Sequence, residues 1–129
     1  MKLALDTNAY TALHLGDQVL AEHVRHADRI GLPIIVVGEL RFGFLNGSRL
    51  AENEAILEEF CATPRVDVLN LTDSTARLFG EIATLLRRNG TPIQQDDIWI
   101  AALAKEHGYA LATRDKGFEH VLGLNVIGF

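Results

Sequence analysis

Apolar and polar positions along the chain repeat with two periods, and the switches between them divide it into elements. Residues 2–6 (KLALD) are a short apolar run closed by a polar turn, the pattern of a buried strand. Residues 7–15 follow at helical spacing, with Thr7 or Asn8 placed to cap them. Residues 17–28 read as an amphipathic helix whose apolar side carries Val19, Leu20, His23 and Val24. The run GLPIIVVGELRFGFLNG is ambiguous by period. Its β-branched centre suits a strand, but Pro33 suits a first helical turn and the apolar stretch continues to Leu45. A helix over about residues 33–44 is expected there, with Gly47 as its stop signal. A further helix spans 48–61 before Pro64, and 66–71 (VDVLNL) alternates as a half-buried strand does. Thr72 caps a helix to about Arg88, which Asn89-Gly90 ends; its two terminal arginines suit the helix dipole. After a loop at 92–95, a helix over 96–107 stops at Gly108, and 109–113 (YALAT) and 124–127 (LNVI) read as strands.

Strands separated by helices imply an α/β fold with a parallel sheet covered on both faces. In such sheets ligands bind beyond the carboxyl ends of the strands. Asp6 and Asp115 both lie at or just past a strand end, so they are expected to converge on one edge. No internal repeat, low-complexity tract or linker interrupts the chain, which reads as one domain over residues 1–129.

Composition narrows the class. Nearly half the residues are apolar and 22% are charged, as in an ordinary globular domain. The single cysteine, Cys61, excludes an internal disulfide, so a reducing, cytoplasmic setting is expected; in its apolar helical context Cys61 reads as packing. No segment has the apolar length of a membrane span, and Lys2 followed so soon by Asp6 does not make a signal peptide. The net charge of −5 is the wrong sign for coating a polyanion. Four of the acidic residues are metal-ligand candidates, however, and bound divalent cations invert the local field.

Those candidates gain meaning from context. Asp6 closes an apolar strand, where a carboxylate is costly unless a charge or hydrogen bond meets it; a helix cap is its bland explanation. Glu39 interrupts an apolar helix and shares a face with Ile35, Val36 and Phe42, so it stands on a solvent edge or aims at a cation. Asp96 and Asp97 open a helix. Capping explains one of them, hardly both. Asp115 follows the last long strand, and a turn before Lys116-Gly117 is its alternative. Carboxylates gathered at one edge repel unless cations hold them. An all-oxygen set selects Mg²⁺ or Mn²⁺ over zinc, and phosphoryl transfer is the chemistry it serves best. His23 and His26 stand a turn apart without a third ligand and read as a solvated face; His14, His107 and His120 are isolated. No nucleophilic triad and no glycine-rich phosphate loop is legible.

Four blocks, LDTN at 5–8, VVGEL at 36–40, DIWIAALA at 97–104 and LATRDKGFEHV at 111–121, resemble in order and spacing the motifs of the PIN-domain family. More narrowly they are similar to VapC-type toxins of bacterial toxin–antitoxin pairs, and the resemblance covers the chain. It implies an α/β/α sandwich with a mostly parallel sheet and an Mg²⁺- or Mn²⁺-dependent endoribonuclease acting on tRNA or rRNA. It also implies a homodimer and a cognate antitoxin. Asp6, Glu39, Asp97 and Asp115 fall on the family's acidic, metal-binding positions, Thr113 on its hydroxyl position and Asn8 on the polar residue after the first aspartate. Asp96 departs from the pattern, standing where the family usually has a small or amide residue.

Two alternatives remain open from sequence. A haloacid-dehalogenase-like phosphatase also begins with a strand and an aspartate, but needs a second aspartate where this chain has Asn8. A catalytically inactive PIN-like binding module would not need all four acidic positions filled.

Overall fold

The expected strands at 2–6, 66–71, 109–113 and 124–127 all form, and a fifth joins them. The computed structural model describes residues 1–129. In chain order its elements are β1 Lys2–Leu5, α1 Thr7–His14, α2 Gln18–His26, β2 Arg29–Pro33, α3 Ile34–Leu45, α4 Leu50–Ala62, β3 Val66–Leu69, α5 Asp73–Arg88, α6 Gln95–His107, β4 Ala110–Ala112 and β5 Val126–Ile127. A 3₁₀ turn, Lys116–His120, precedes β5. The sheet order is β3-β2-β1-β4-β5, and every neighbouring pair is parallel. The α/β/α architecture is therefore as expected, with a sheet parallel throughout rather than mostly so.

The chain runs outward from β1 through β2 to β3, then returns to the other side of β1 for β4 and β5. Right-handed crossovers place α1–α4 on one face and α5 and α6 on the other. The reversal makes the β1/β4 boundary a topological switch point, where the loops part and a crevice opens. Leu5 pairs with Ala112 across that boundary. The residues that follow them, Asp6 and Thr113, consequently leave the sheet side by side.

The strand that sequence patterning missed is β2. Gly31 and Pro33 argue against a strand, and the apolar run beyond them masks its end. Packing explains both residues. A Cβ on Gly31 would lie 2.8 Å from Cε2 of Tyr109, so only glycine lets that ring cross the strand. Pro33 is the last residue of β2 and the N-cap of α3, so it joins the two elements without breaking either. Other boundaries shift modestly. The cap of α1 is Asp6 rather than Thr7 or Asn8. The second helix stops at His26 rather than reaching Asp28, and its Val19 is 55% exposed rather than on the apolar side.

One apolar cluster holds the layers together, with Leu3, Leu5, Ile30, Leu32 and Leu111 of the sheet fully or almost fully buried. Each large side chain so buried contributes roughly 1.5–3 kcal/mol. Within α6, Ile98 and every residue from Ile100 to Ala104 are buried. Ala101, Ala102 and Ala104 leave no bulk between that helix and its neighbours, which brings the α6 N-terminus close to the crevice. Thr72 caps α5 through a reciprocal capping box with Thr75. Cys61 is half-buried against the core. No helix is long and apolar enough to cross a membrane.

Candidate active site

Asp6 sits where β1 gives way to α1 and serves two structures at once. Its Oδ1 accepts the Ala9 backbone N–H at 2.8 Å, capping the helix, and its Oδ2 accepts the Thr113 hydroxyl at 2.5 Å. The bland and the functional expectations for this residue are thus both compatible with its position. It is 5% exposed, and its pKa is raised. Burial is the largest cause; the Thr113 and Ala9 hydrogen bonds oppose it, and the charges of Asp115 and Glu39 add to it.

Thr113 ties two acidic residues together. While donating to Asp6, its oxygen accepts the backbone N–H of Asp115 at 2.9 Å. Asp115 then turns its own Oδ1 back to the Gly117 N–H at 2.8 Å, capping the 3₁₀ turn. That is the turn role expected of it, yet it leaves the second oxygen facing the crevice. Asp115 and Asp97 line an open depression of about 540 Å³ together with Pro92, Ile93, Gln94 and Gly117.

Glu39 enters from α3, half-buried, with its Oε1 accepting the Thr7 hydroxyl at 2.7 Å. Of the face proposed for it, Val36 turns into the core. Ile35, Glu39 and Phe42 instead line a second depression, about 800 Å³, which Ile34, Gly38, Leu71, Thr7 and Asp96 complete. Asp97 stands in the first turn of α6, half-buried, and lines the first depression, while its neighbour Asp96 lines the second. Its pKa is pushed up to about 6, first by burial and then by the charges of Asp115, Glu39, Asp6 and Asp96. Every carboxylate singled out in the sequence therefore lies within electrostatic reach of Asp97.

No lysine or arginine pairs with any of these five acidic side chains; the ion pairs of the protein lie elsewhere. The donor set is all oxygen and lacks counter-charge, which fits a hard divalent cation. No three of the acidic side chains close around a common point.

The supporting residues differ in their placement. Thr113 is buried at the centre of the site. Asp96 is exposed on the rim beside Glu39, and Asn8 is exposed on the first turn of α1. Thr7 was read only as a helix cap; it is the residue that holds Glu39, a contact across 32 positions that no local pattern signals. Arg114 lies between Thr113 and Asp115 but points away, its Nη2 donating to Asp17 Oδ2 at 2.6 Å.

Known proteins resemble this chain in sequence and fold. A family model described as "PIN domain" matches residues 3–124. Ribonuclease VapC2 of Haemophilus influenzae is 30% identical over 127 residues, covering 96% of this chain and 95% of that protein. A tRNA(fMet)-specific endonuclease VapC of Salmonella typhimurium is 27% identical over 129 residues, covering 98% and 96%. Among solved structures, VapBC-1 from nontypeable Haemophilus influenzae superposes with a TM-score of 0.87 at 27% identity, covering 99% of this chain and 98% of that one.

Proposed function

The chain belongs to the PIN-domain family, and on that premise we propose that it is a divalent-metal-dependent endoribonuclease, the toxin of a VapBC-type toxin–antitoxin pair. One observation carries the reading: at the switch point of a parallel sheet, four carboxylates lie within electrostatic reach of Asp97, and no lysine or arginine pairs with any of the five. A haloacid-dehalogenase-like phosphatase is disfavoured, because the second aspartate it needs is Asn8 here and the family match is to the PIN domain. The ribonuclease and endonuclease names of the relatives support RNA as substrate, with tRNA or rRNA the class we assign. The complexes among the structural neighbours support a dedicated protein inhibitor. We further read residues 1–129 as a single nuclease domain that works as a homodimer in the cytoplasm.

Asp6, Glu39, Asp97 and Asp115 are the residues that would hold the metal, as Mg²⁺ or Mn²⁺. When bound, such a cation supplies charge stabilisation for a phosphoryl group and lowers the pKa of water. The protein's own contribution is orientation. Thr113 keeps one oxygen of Asp6 and the backbone of Asp115 in fixed relation. Thr7 does the same for Glu39 from the first turn of α1. Hydroxyl donors suit the task because they constrain a carboxylate without neutralising it. The depression lined by Asp97 and Asp115 gives an extended, single-stranded backbone a path to the carboxylates.

The test is cleavage of RNA by purified protein. Activity is expected with Mg²⁺ or Mn²⁺, to vanish in excess chelator and to be indifferent to zinc. Asp6→Asn and Asp97→Asn should each abolish it with the fold intact, and Asp96→Asn should be milder. Full cleavage in excess chelator would sink the mechanism. A dead Asp96 variant beside an active Asp97 variant would reassign the ligand.

A further inference from the structure

Asp115 is held only from within its own loop. It is exposed, it lies on the three-residue loop between β4 and the 3₁₀ turn, and its bonds to Thr113 and Gly117 are local to that loop. What fixes the loop as a whole is a contact on its other side. Side chains alternate along extended backbone, so Arg114 points opposite to Thr113 and Asp115. Its guanidinium reaches across 97 positions to Asp17 Oδ2 at 2.6 Å and lies over the Phe129 ring, 4.5 Å from its centroid.

The receiving residue is itself anchored. Asp17 Oδ1 caps α2 at the Leu20 N–H, 2.9 Å, and the Asp17 N–H donates to Ala12 of α1 at 3.0 Å. Phe129 packs against the core. The contact therefore braces the Asp115 loop against the far end of α1, the helix whose near end Asp6 caps. The two acidic residues on either side of the β1/β4 switch point are joined twice, by Thr113 within the site and by Arg114 outside it.

From this geometry we infer that Arg114, clamped between Asp17 and Phe129, is a positioning residue for the reaction: it sets the placement of Asp115 without touching substrate or metal. The inference rests on the nuclease reading above. An ion pair as exposed as this one, 53% and 21% for the two side chains, contributes little to global stability. Its loss is therefore expected in the site rather than in the fold. A misplacement of a reacting group by about 1 Å can cost on the order of a hundredfold in rate, and partial loosening of one carboxylate of four should cost about tenfold.

The rival role is direct capture of an RNA phosphate by Arg114, and Asp17→Asn separates the two. Asparagine still caps a helix but removes the charge that Arg114 meets. If Arg114 positions, Arg114→Ala and Asp17→Asn should each lower kcat about tenfold with KM within about twofold, and the double variant should lose no more than either single one. Arg114→Lys should not rescue, because an ammonium lacks the planar fork that both meets a carboxylate and stacks on a ring. Hydrogen exchange gives a readout that needs no catalysis. The Asp115 and Gly117 amides should exchange faster in both single variants, by about the same factor, while those of α5 stay unchanged. Normal kcat in Asp17→Asn would overturn the inference, as would additive losses, unmoved Asp115 and Gly117 amides, or a rise in KM alone with a shallower salt dependence. A parent protein that cleaves no RNA under any metal defeats the nuclease reading instead, and the exchange experiment still decides whether the brace exists.

Discussion

Asp97 ionises against burial and four neighbouring carboxylates, which push its pKa up to about 6. A carboxyl whose folded pKa lies above its unfolded value favours the folded state when protonated. Its stabilising contribution is complete below the unfolded value of 3.8 and is lost as pH rises through about 6. Asp6 is shifted in the same direction. The metal-free protein should therefore weaken between about pH 4 and pH 6, by on the order of 1–2 kcal/mol once solvent screening of Asp97 is allowed for. In chelator at pH 7.5, Asp97→Asn should melt a few degrees above the parent. The gap should close toward pH 4, where the parent carboxyl is neutral too, and shrink at pH 7.5 when Mg²⁺ is added. Equal or lower melting of the variant at pH 7.5 would mean that Asp97 feels no crowding. Thr113 allows a second test at this scale. Thr113→Val leaves Asp6 Oδ2 and the Asp115 N–H without their partner, at a cost of about 1–3 kcal/mol. Thr113→Ser keeps the hydroxyl and should recover most of that loss in denaturant titrations and most of the cleavage. A valine variant as stable and active as the parent would show that the hydroxyl bridge does nothing. Asp6 and Glu39 were visible in sequence because each interrupts an apolar run, and Asp97 and Asp115 because each stands at the boundary of an apolar element. Thr7 was not, since a hydroxyl in a first helical turn looks like a cap wherever it points.

At the scale of elements, what sequence hid was β2. Patterning reads Arg29–Pro33 poorly because both of its unusual residues answer to partners far along the chain. Gly31 yields to Tyr109, and Pro33 closes a strand whose register partner is Leu69. Without β2 the sheet has only β1, β3, β4 and β5, and the order that makes β1/β4 a switch point cannot be worked out. The direction of the strands and the helices between them were legible; their order was not. Gly31→Ala tests the packing account. The added methyl meets the Tyr109 ring at 2.8 Å and Leu69 at 3.0 Å, so the ring must move or the strands part. Tyr109 also donates from its hydroxyl to Asp67, which pairs with Arg29, so its movement disturbs a second contact. A destabilisation of roughly 1–3 kcal/mol is expected, and Tyr109→Leu in the same chain should take back part of it. Additive effects of the two changes in urea titrations would refute a shared steric cause.

The whole molecule presents an uncompensated acidic crevice beside an apolar depression, and the two together describe a partner. Phe42 is 71% exposed and Leu45 68% exposed on α3, one and two turns beyond Glu39. Adjacent exposed side chains of that size mark an interaction surface. An amphipathic helix of the proposed inhibitor would bury its apolar face on Ile34, Ile35, Phe42 and Leu71. A basic side chain at its end would then meet Asp6, Glu39, Asp97 and Asp115 and take the place of the metal as counter-charge. Phe42→Glu changes the groove and none of the carboxylates, so it should leave melting and RNA cleavage close to the parent's. Inhibition by the proposed antitoxin should weaken at least tenfold. Neutralising that inhibitor's basic residues should weaken it as well, and Mg²⁺ should compete with the inhibitor where a chelator does not, because cation and basic side chain claim the same charge. If sedimentation shows a homodimer that Phe42→Glu dissociates while inhibition stands, α3 faces a second copy of this chain. If no basic residue of the inhibitor matters, the crevice is blocked by shape alone and its charge has no part in recognition.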